Sequence, residues 1–371
     1  MKNTIGLAAR ALLTQIACMA LLGLVPSLRL HAADFKVAQI DDSSALATGA
    51  VAINDQGTNF NQPRARAERQ DYTRGDVPGS IRAKRQKLKA GTTARAGLYE
   101  YTQVDVPGAV FTGLFAINSR GQTVGFYVDG TGTAHGFLRN VDGSIITIDY
   151  PGAIFIAANG INSEGDVVGR WDDASGITHS FRRTSQGTIT SFDPLAPCVA
   201  TTEASAAHGI NDWGDIVGRC FDAGGKELGW LLRHDGSFAI LDDPSFQTAD
   251  GWAIDNSGVV VGDYSDADGF VHGFTWTEAD GFATLDFKNN MTGLRAINQR
   301  GTISGIYFDG LTLHGFLRLK NGTDVKIDPP GSVETDTAVV NNSGTIAGAY
   351  SDADFNGHGY IAIAAAPGRP D

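Results

Sequence analysis

Cysteine is scarce in this chain of 371 residues, and the motifs that mark common catalytic centres are missing. Only Cys18, Cys198 and Cys220 are present, and no two of them form a CxxC pair. The sequence contains no HExxH, no P-loop, no GxGxxG dinucleotide turn and no nucleophile elbow. These absences exclude a motif-based assignment to an enzyme class. Asp and Glu are plentiful, however, so a pair of carboxylates for glycoside hydrolysis stays open.

Positive charge is also in short supply, with 29 Lys and Arg against 41 Asp and Glu. The formal net charge is −12, and it becomes −15 if residues 1–32, which contain three basic and no acidic residues, are removed. An acidic surface repels the phosphates of nucleic acids and of anionic lipids. We therefore expect no nucleic-acid partner.

Only one long apolar run occurs, and it lies at the N-terminus. Lys2 and Arg10 supply a basic start, residues 11–28 are mostly apolar, and a cleavage point falls before Ala33. This order is typical of a secretory signal peptide, which we predict at residues 1–32. A membrane anchor is the alternative, but the run is short and interrupted. The mature chain is then secreted or periplasmic and has no membrane span.

One phrase recurs along the chain, and 47 glycines punctuate it. It reads Ala-Ile-Asn-x-x-Gly-x-x-Val-Gly-x-Tyr, followed by Asp, His-Gly-Phe and Ile-Asp-x-Pro. The position of its asparagine, called here the Asn column, is occupied by Asn118, Asn162, Asn211, Asp255, Asn298 and Asn341. The copies are 43 to 49 residues apart, which is the pitch of a repeat built from one supersecondary unit.

Each copy reads as four short strands joined by turns rich in Gly, Asp and Asn, without helical spacing. Such a sheet buries little surface alone, and radial stacking on its neighbours gives an all-β β-propeller of four-stranded blades. A linear solenoid is the alternative. The longest link joins the fourth strand to the next first strand, so we expect the strand that ends at the Asn column to be innermost.

Residues 97–364 are predicted to form six blades, with residues 365–371 as a tail. The last copy stops after its third strand, whereas residues 101–108 read as a spare fourth strand near the start. This N-terminal strand is predicted to complete the last blade and close the ring, which leaves no open edge. A partial repeat at residues 33–57 leaves a seventh blade open as the alternative.

Residues 58–96 differ from the rest of the chain, with ten Lys or Arg, three Asp or Glu and few large apolar residues. This composition is typical of a flexible insertion. It is either a solvated insertion without a further role, or a tether whose net charge of +7 attaches it to the acidic propeller or to an anionic surface polymer.

The copies resemble the bacterial HAF repeat, an extracellular repeat family, over residues 99–363. The matching stretches in the first copy are Ala116-Ile117-Asn118, Gly121, Val124-Gly125, His135-Gly136-Phe137-Leu138 and Ile148-Asp149-Tyr150-Pro151-Gly152-Ala153. Some copies depart from the pattern, with Leu228-Gly229-Trp230, with Asp255 and with Ser180. The resemblance implies an exported bacterial repeat protein rich in β-structure. It brings no catalytic residues with it.

Histidine recurs at one repeat position, at His135, His179, His272, His314 and His358. A shared metal ion needs ligands that converge to about 2 Å from it. The position opens the third strand, far from the axis of the predicted ring. We therefore expect each histidine to bond within its own blade, for example to the aspartate before the turn, rather than to join the others around a metal.

Two further features suggest candidate sites of lower specificity. Aspartates in the turns between the second and third strands resemble parts of a calcium loop, best at Asp266, Asp268, Asp352 and Asp354. Asp also favours such turns without any metal. Calcium is therefore the one candidate cofactor, and the sequence does not require it. Cys198 and Cys220 both lie in the third copy, where either a disulfide or two buried thiols fit an exported chain.

The repeat varies most at the position three residues before the Asn column. The copies show Phe115, Asn159, His208, Trp252, Arg295 and Ala338 there. Positions that are constant among the copies build the scaffold, whereas one that varies at the innermost strand is available for function. We predict that the first five of these residues line a ligand-binding funnel near the axis. Packing differences between blades are the alternative explanation.

The sequence thus favours an exported β-propeller that serves as a binding or interaction module. Its ligand is unknown, and envelope polysaccharide, another glycan or a protein are the candidates. A propeller hydrolase or lyase that acts on an extracellular polymer is the first alternative, and a purely structural surface protein is the second. No residue is singled out as catalytic, so binding is favoured over catalysis.

Overall fold

The computed structural model describes residues 93–96, 98–198 and 205–365, which form a six-bladed β-propeller of four-stranded antiparallel sheets. The predicted signal peptide, the partial repeat at residues 33–57, residues 58–92 of the basic insertion and residues 366–371 of the predicted tail lie outside the described residues. The predicted all-β class and the predicted six blades are confirmed.

The strands are numbered along the chain. The first two are β1 (Thr93–Ala96) and β2 (Tyr99–Val104). Blade 1 contains β3 (Phe111–Ile117), β4 (Thr123–Val128), β5 (Ala134–Arg139) and β6 (Ile145–Ile148). Blade 2 contains β7 (Phe155–Ile161), β8 (Val167–Asp172), β9 (Thr178–Arg183) and β10 (Ile189–Phe192). Blade 3 contains β11 (Ser205–Ile210), β12 (Ile216–Phe221), β13 (Glu227–Leu232) and β14 (Phe238–Leu241).

Blade 4 contains β15 (Thr248–Ile254), β16 (Val260–Ser265), β17 (Val271–Thr277) and β18 (Gly281–Thr284). Blade 5 contains β19 (Met291–Ile297), β20 (Ile303–Phe308), β21 (Leu313–Arg318) and β22 (Asp324–Ile327). Blade 6 contains β23 (Glu334–Val340), β24 (Ile346–Ser351) and β25 (Gly357–Ala364) from the end of the chain. In every blade the strand that leads to the Asn column contacts the same strand of both neighbouring blades, so it is innermost as predicted.

The predicted N-terminal strand closes the ring. β2 pairs antiparallel with β25, with Tyr101 opposite Ala362, and so becomes the fourth strand of blade 6. β1 then pairs with β2 as a fifth strand. The last four residues of the stretch predicted to be a flexible insertion are therefore strand, because they complete a ladder along β2.

Apolar side chains are buried mainly between blades rather than within one sheet. Between blades 1 and 2, Val124 and Leu138 pack with Ile156 and Phe181. Between blades 6 and 1, Val104 of the closing strand joins the same kind of cluster. Each blade thus depends on its neighbour to remove its apolar face from water. This dependence explains why the six units form a closed array.

The glycine that follows the repeated Val is required by a close approach of two strands. A Cβ on Gly125 would lie 1.9 Å from the carbonyl oxygen of Gly113, and one on Gly169 would lie 2.1 Å from that of Ala157. The same contact recurs in all six blades. Beside it, each innermost strand contains a bulge, at which one residue has no partner on the second strand.

The Asn column connects the blades through side-chain hydrogen bonds. The Oδ1 atom of Asn118 accepts from the backbone N–H groups of Arg120 and Gln122 and so fixes the turn of its own blade. Its Nδ2 donates to the carbonyl of Asn162 in the next blade, at 3.0 Å. Equivalent bonds of 2.9–3.3 Å run from Asn162, Asn211, Asn298 and Asn341, and the last of them returns to Asn118.

This ring of hydrogen bonds has five links because blade 4 carries aspartate in the Asn column. Asp255 fixes its own turn, since its Oδ1 accepts from the backbone N–H groups of Ser257 and Val259. A carboxylate has no N–H to donate to the carbonyl of Asn298. The link from blade 4 to blade 5 is therefore missing from the ring.

Replacing Asp255 by Asn should supply the sixth link. We expect Asp255→Asn to stabilise the fold by about 1 kcal/mol, since a neutral hydrogen bond contributes about that much. Thermal unfolding should show a Tm increase of about 2 °C. The converse change, Asn118→Asp, removes an existing link and should lower Tm. Asp268→Asn, which removes one exposed charge, is the control; an equal increase in this variant would show that charge, not the link, is responsible.

Candidate functional site

All six innermost strands contribute a side chain to one recess on the axis of the propeller, called here the axial recess. Its lining consists of Phe115, Asn159, His208, Trp252, Arg295 and Thr337 from the innermost strands, with Arg170 and Arg219 from the second strands of blades 2 and 3. The five residues that the sequence predicted for a ligand-binding funnel are all among them. The structure thus brings these five together in one place.

The bulges explain why the variable position faces the axis. In blades 1 to 5 the residue without a partner on the second strand is the variable one, as with Asn159 between Ala158 and Gly160. A bulge turns its side chain away from the regular alternation of the strand. In blade 6 the bulge lies at Asp336 instead, so Thr337 lines the recess and Ala338 is buried in a core cluster.

Sequence reasoning missed the two arginines that come from second strands. Arg170 and Arg219 directly follow the constant glycine of the phrase, at a position where the other copies have Phe126, Asp263, Ile306 and Ala349. This position also varies among the copies. The same variability that identified the position three residues before the Asn column could therefore have identified this second column of residues. The bulge and the close approach at the glycine place the second column beside the first.

Three side chains from successive blades form a stack in the recess. The ring of His208 lies 4.1 Å from that of Trp252 at an interplanar angle of 17°, and the guanidinium carbon of Arg295 lies 4.0 Å from the Trp252 ring. Two groups this close to one ring centre lie on opposite faces, so both faces of the indole are covered. The stack combines aromatic packing with a cation–π contact.

Acidic side chains lie behind this lining. Arg295 forms an ion pair with Asp263, and Arg219 lies 3.6 Å from Glu227 and 3.9 Å from Asp250. Nδ1 of His208 lies 2.9 Å from the same Asp250. The carboxylates are thus covered by basic groups, and the recess presents those groups to a ligand.

Burial changes the charge states in this cluster. It lowers the pKa of His208, so the imidazole is neutral near pH 7 even though Asp250 opposes the shift. It also raises the pKa of Asp263 to about 6, with Arg295 opposing. The three guanidiniums are then the permanent charges of the lining.

The recess is small and polar. It offers about 30 Å³ to the centres of water-sized spheres, which is room for about two waters. Two polar atoms of lining residues, Nε1 of Trp252 and Oγ1 of Thr337, are buried and have no hydrogen-bond partner. A buried donor without a partner costs stability.

The recurrent histidines lie away from the axial recess and bond within their own blades. In each case Nδ1 lies 2.8–3.2 Å from one aspartate and Nε2 lies 3.0–3.8 Å from another. Blade 3 has Leu228 in place of histidine, and there Lys226 pairs with Asp242 at 2.8 Å. His358 pairs with Asp105, which follows the closing strand and so joins the two ends of the chain.

The aspartates proposed for calcium fix turns in the structure. Oδ1 of Asp266 accepts from the backbone N–H groups of Asp268 and Phe270, and Oδ1 of Asp352 accepts from that of Asp354. Within the described ranges, no three His, Cys, Asp or Glu side chains are grouped as a metal site requires. Calcium therefore stays a prediction without a site that supports it.

Cys198 and Cys220 are joined by a disulfide, with 5.5 Å between their Cα atoms. Cys220 follows Arg219 on β12, and Cys198 belongs to the link between blades 2 and 3. The bond therefore ties this link to the strand that supplies one of the arginines of the axial recess.

Comparisons with known proteins identify no ligand. No family model matches the chain, and no curated protein matches it. A putative gluconolactonase is 14% identical, with 70% of this chain and 91% of that chain covered and a TM-score of 0.45. Virginiamycin B lyase from Staphylococcus aureus is 13% identical, with coverages of 71% and 99% and a TM-score of 0.42. A lectin from Aleuria aurantia in complex with Fucα1-6GlcNAc is 11% identical, with the same coverages and a TM-score of 0.43.

These three proteins differ in what their names say they do, and the likenesses are too distant to choose among them. The resemblance of the copies to the HAF repeat likewise stays a prediction. In the part of the chain that the structure describes, no helix is long and apolar enough to cross a membrane.

The ion pair behind the recess makes Arg295 a structural residue as well as a lining one. Arg295 is 4% exposed, and its loss leaves the carboxylate of Asp263 buried without its cation. We expect Arg295→Ala to reduce the free energy of unfolding by about 3–5 kcal/mol. The loss should be smaller at pH 5 than at pH 8, because Asp263 becomes protonated.

Chemical denaturation of the double variant Arg295→Met with Asp263→Asn tests the cause. It should recover most of the stability, since no buried charge is left unpaired. If the double variant is as unstable as Arg295→Ala, packing rather than charge explains the loss.

The bonded histidines predict that stability falls as the pH rises. Burial acts to lower the pKa of His272 and of His358, but hydrogen bonds to their aspartates outweigh it, so both pKa values are raised. Protonation then stabilises the fold fully below the unfolded pKa of about 6.5, and this contribution is lost as the pH rises through the folded values. We expect Tm to decrease from pH 6.5 to pH 8.5.

Replacing both histidines by Gln should flatten this decrease. Asp336 acts in the same direction at lower pH, because burial raises its pKa to about 7 and the fold loses stability as the unfolded chain ionises above about pH 4. An Asp336→Asn background separates the two contributions. An unchanged slope in the double Gln variant would contradict the assignment to His272 and His358.

Proposed function

We propose that this protein is an exported bacterial binding module whose axial recess holds a polar group of an envelope polysaccharide or related glycan. The observation that carries the proposal is the convergence of five of the six blades on one recess through the position at which they differ. Export rests on the signal-like residues 1–32, and the bacterial envelope on the resemblance of the copies to the HAF repeat.

The cost of the buried charges supports a functional role for the recess. Replacing a buried ion pair by apolar residues of similar size is often neutral or stabilising. At the position after the constant glycine, blades 5 and 6 have Ile306 and Ala349, so the scaffold accepts apolar residues there. Blades 2 and 3 nevertheless have Arg170 and Arg219. A purely structural ring gives no reason for this difference.

Binding fits the recess better than hydrolysis does. A glycoside hydrolase needs two carboxylic groups on either side of the scissile bond. Two carboxylates that contact the lining, Asp250 and Asp263, are 1% and 5% exposed and lie behind basic groups. They hold His208 and Arg295 in place and do not face a substrate.

A binding experiment with isolated envelope polysaccharides tests the proposal. The variant Asn159→Ala with Arg170→Ala alters two half-buried lining residues, whereas Arg295→Ala would also unfold the site. Loss of a charge-assisted hydrogen bond costs about 1.5–3 kcal/mol, so we expect binding at least tenfold weaker. Tm should fall modestly, because Asn159 also donates a hydrogen bond to the carbonyl of Ala207.

Trp213→Ala is the matched control. Trp213 is 65% exposed, lies in the turn after the Asn column and is absent from the lining of the recess. It should bind like the wild type. If the lining variant binds as tightly as the wild type, or if no envelope polysaccharide binds the wild type, the proposal is wrong.

A further inference from the structure

We infer that the group held in the axial recess is a carboxylate, carried by a ligand without a dense array of further negative charges. This inference deepens the proposed function and rests on it for the location of the site. It concerns the chemistry of the bound group and not the identity of the polymer.

The hydrogen-bonding character of the lining calls for an acceptor. Arginine and the indole N–H only donate hydrogen bonds, and the lining contains three arginines and Trp252. Asn159 uses its Nδ2 to hold the carbonyl of Ala207, at 3.0 Å. A carboxylate has two acceptor oxygens with about four lone-pair positions and no donor, and so complements this set.

The charged side chains among the described lining residues are all arginines, namely Arg170, Arg219 and Arg295, and His208 is neutral. Asp250 and Asp263 lie behind them and hold the guanidiniums in position. Hydrogen bonds between guanidinium and carboxylate are about twice as strong as neutral ones and have a planar geometry that suits both groups.

The size of the recess agrees with one planar acid group. Room for about two waters accommodates the two oxygens of a carboxylate but not a sugar ring. The covered faces of Trp252 leave no surface on which a sugar ring can stack.

The charge of the whole chain restricts what carries the acid group. With a net charge of −12, the protein repels densely charged polyanions. An isolated carboxylate, as in a sugar acid within a mostly neutral glycan, meets the local positive charge with less long-range repulsion.

Formate and acetate are suitable probes, because each is little more than the carboxylate itself. The full chain is titrated with either sodium salt against sodium chloride at equal ionic strength, and with acetamide as the neutral isostere. The readouts are the fluorescence of Trp252, taken as the difference from a Trp252→Phe variant, and Tm. We expect a saturable change with both acids and none with acetamide.

Arg170→Met should weaken this response at least tenfold, and Arg170→Lys, which keeps the charge but not the planar fork, should weaken it less. Arg300→Met, which removes an exposed arginine that is absent from the lining, should respond like the wild type. A general effect of salt on Tm would be the same in Arg170→Met and in the wild type. If the saturable response to the acids also persists in Arg170→Met, the inference is wrong. The absence of any saturable response to the acids in the wild type also overturns it.

A second pair of probes separates this inference from the proposed function. Methyl glucuronide should bind at least tenfold more tightly than methyl glucoside, and Arg170→Met should remove the difference. If both sugars bind equally through the recess, the glycan-binding function stands and the carboxylate inference is wrong. If the acids bind but no glycan does, the carboxylate site stands and the glycan-binding function is wrong.

Discussion

The rest of the structure depends on the contact between adjacent innermost strands, which the Asn column fixes. One amide side chain does two tasks, since the Oδ1 of Asn118 shapes the turn in its own blade and its Nδ2 binds the next blade. Each bond contributes only about 1 kcal/mol, but the bonds set the spacing of the blades around the axis. The bond from Asn341 to Asn118 joins the last blade to the first independently of the closing strand β2.

The space at the axis follows from that spacing and from the glycine of the second strand. Without a side chain at Gly169, the first two strands of the blade approach closely beside the bulge. In blades 1 to 5 the bulge then directs one side chain inward. Blades with similar backbones thus carry different side chains at the equivalent position. The charge and shape of the site vary among blades, while the apolar interfaces between blades are of the same kind.

Much of the fold was predictable because the copies of the repeat can be compared with one another within a single sequence. The positions of glycine and of the Asn column revealed the unit and the six blades, and the missing fourth strand of the last copy revealed the role of β2. The variable position before the Asn column identified Asn159, His208 and their equivalents. Thr337 was missed, because the bulge of blade 6 lies at Asp336, two residues before the variable position, and no local pattern reports such a shift.

The sequence by itself determined the unit, the closing strand and the column that lines the axis, and it favoured six blades over seven, since these follow from periodicity and from the ends of the repeat. Only the tertiary structure decided that Arg170 and Arg219 join that column, that Asp263 neutralises Arg295, and that both faces of Trp252 are covered. These contacts join residues of different blades. Their geometry depends on how six sheets pack around an axis, which local sequence does not encode.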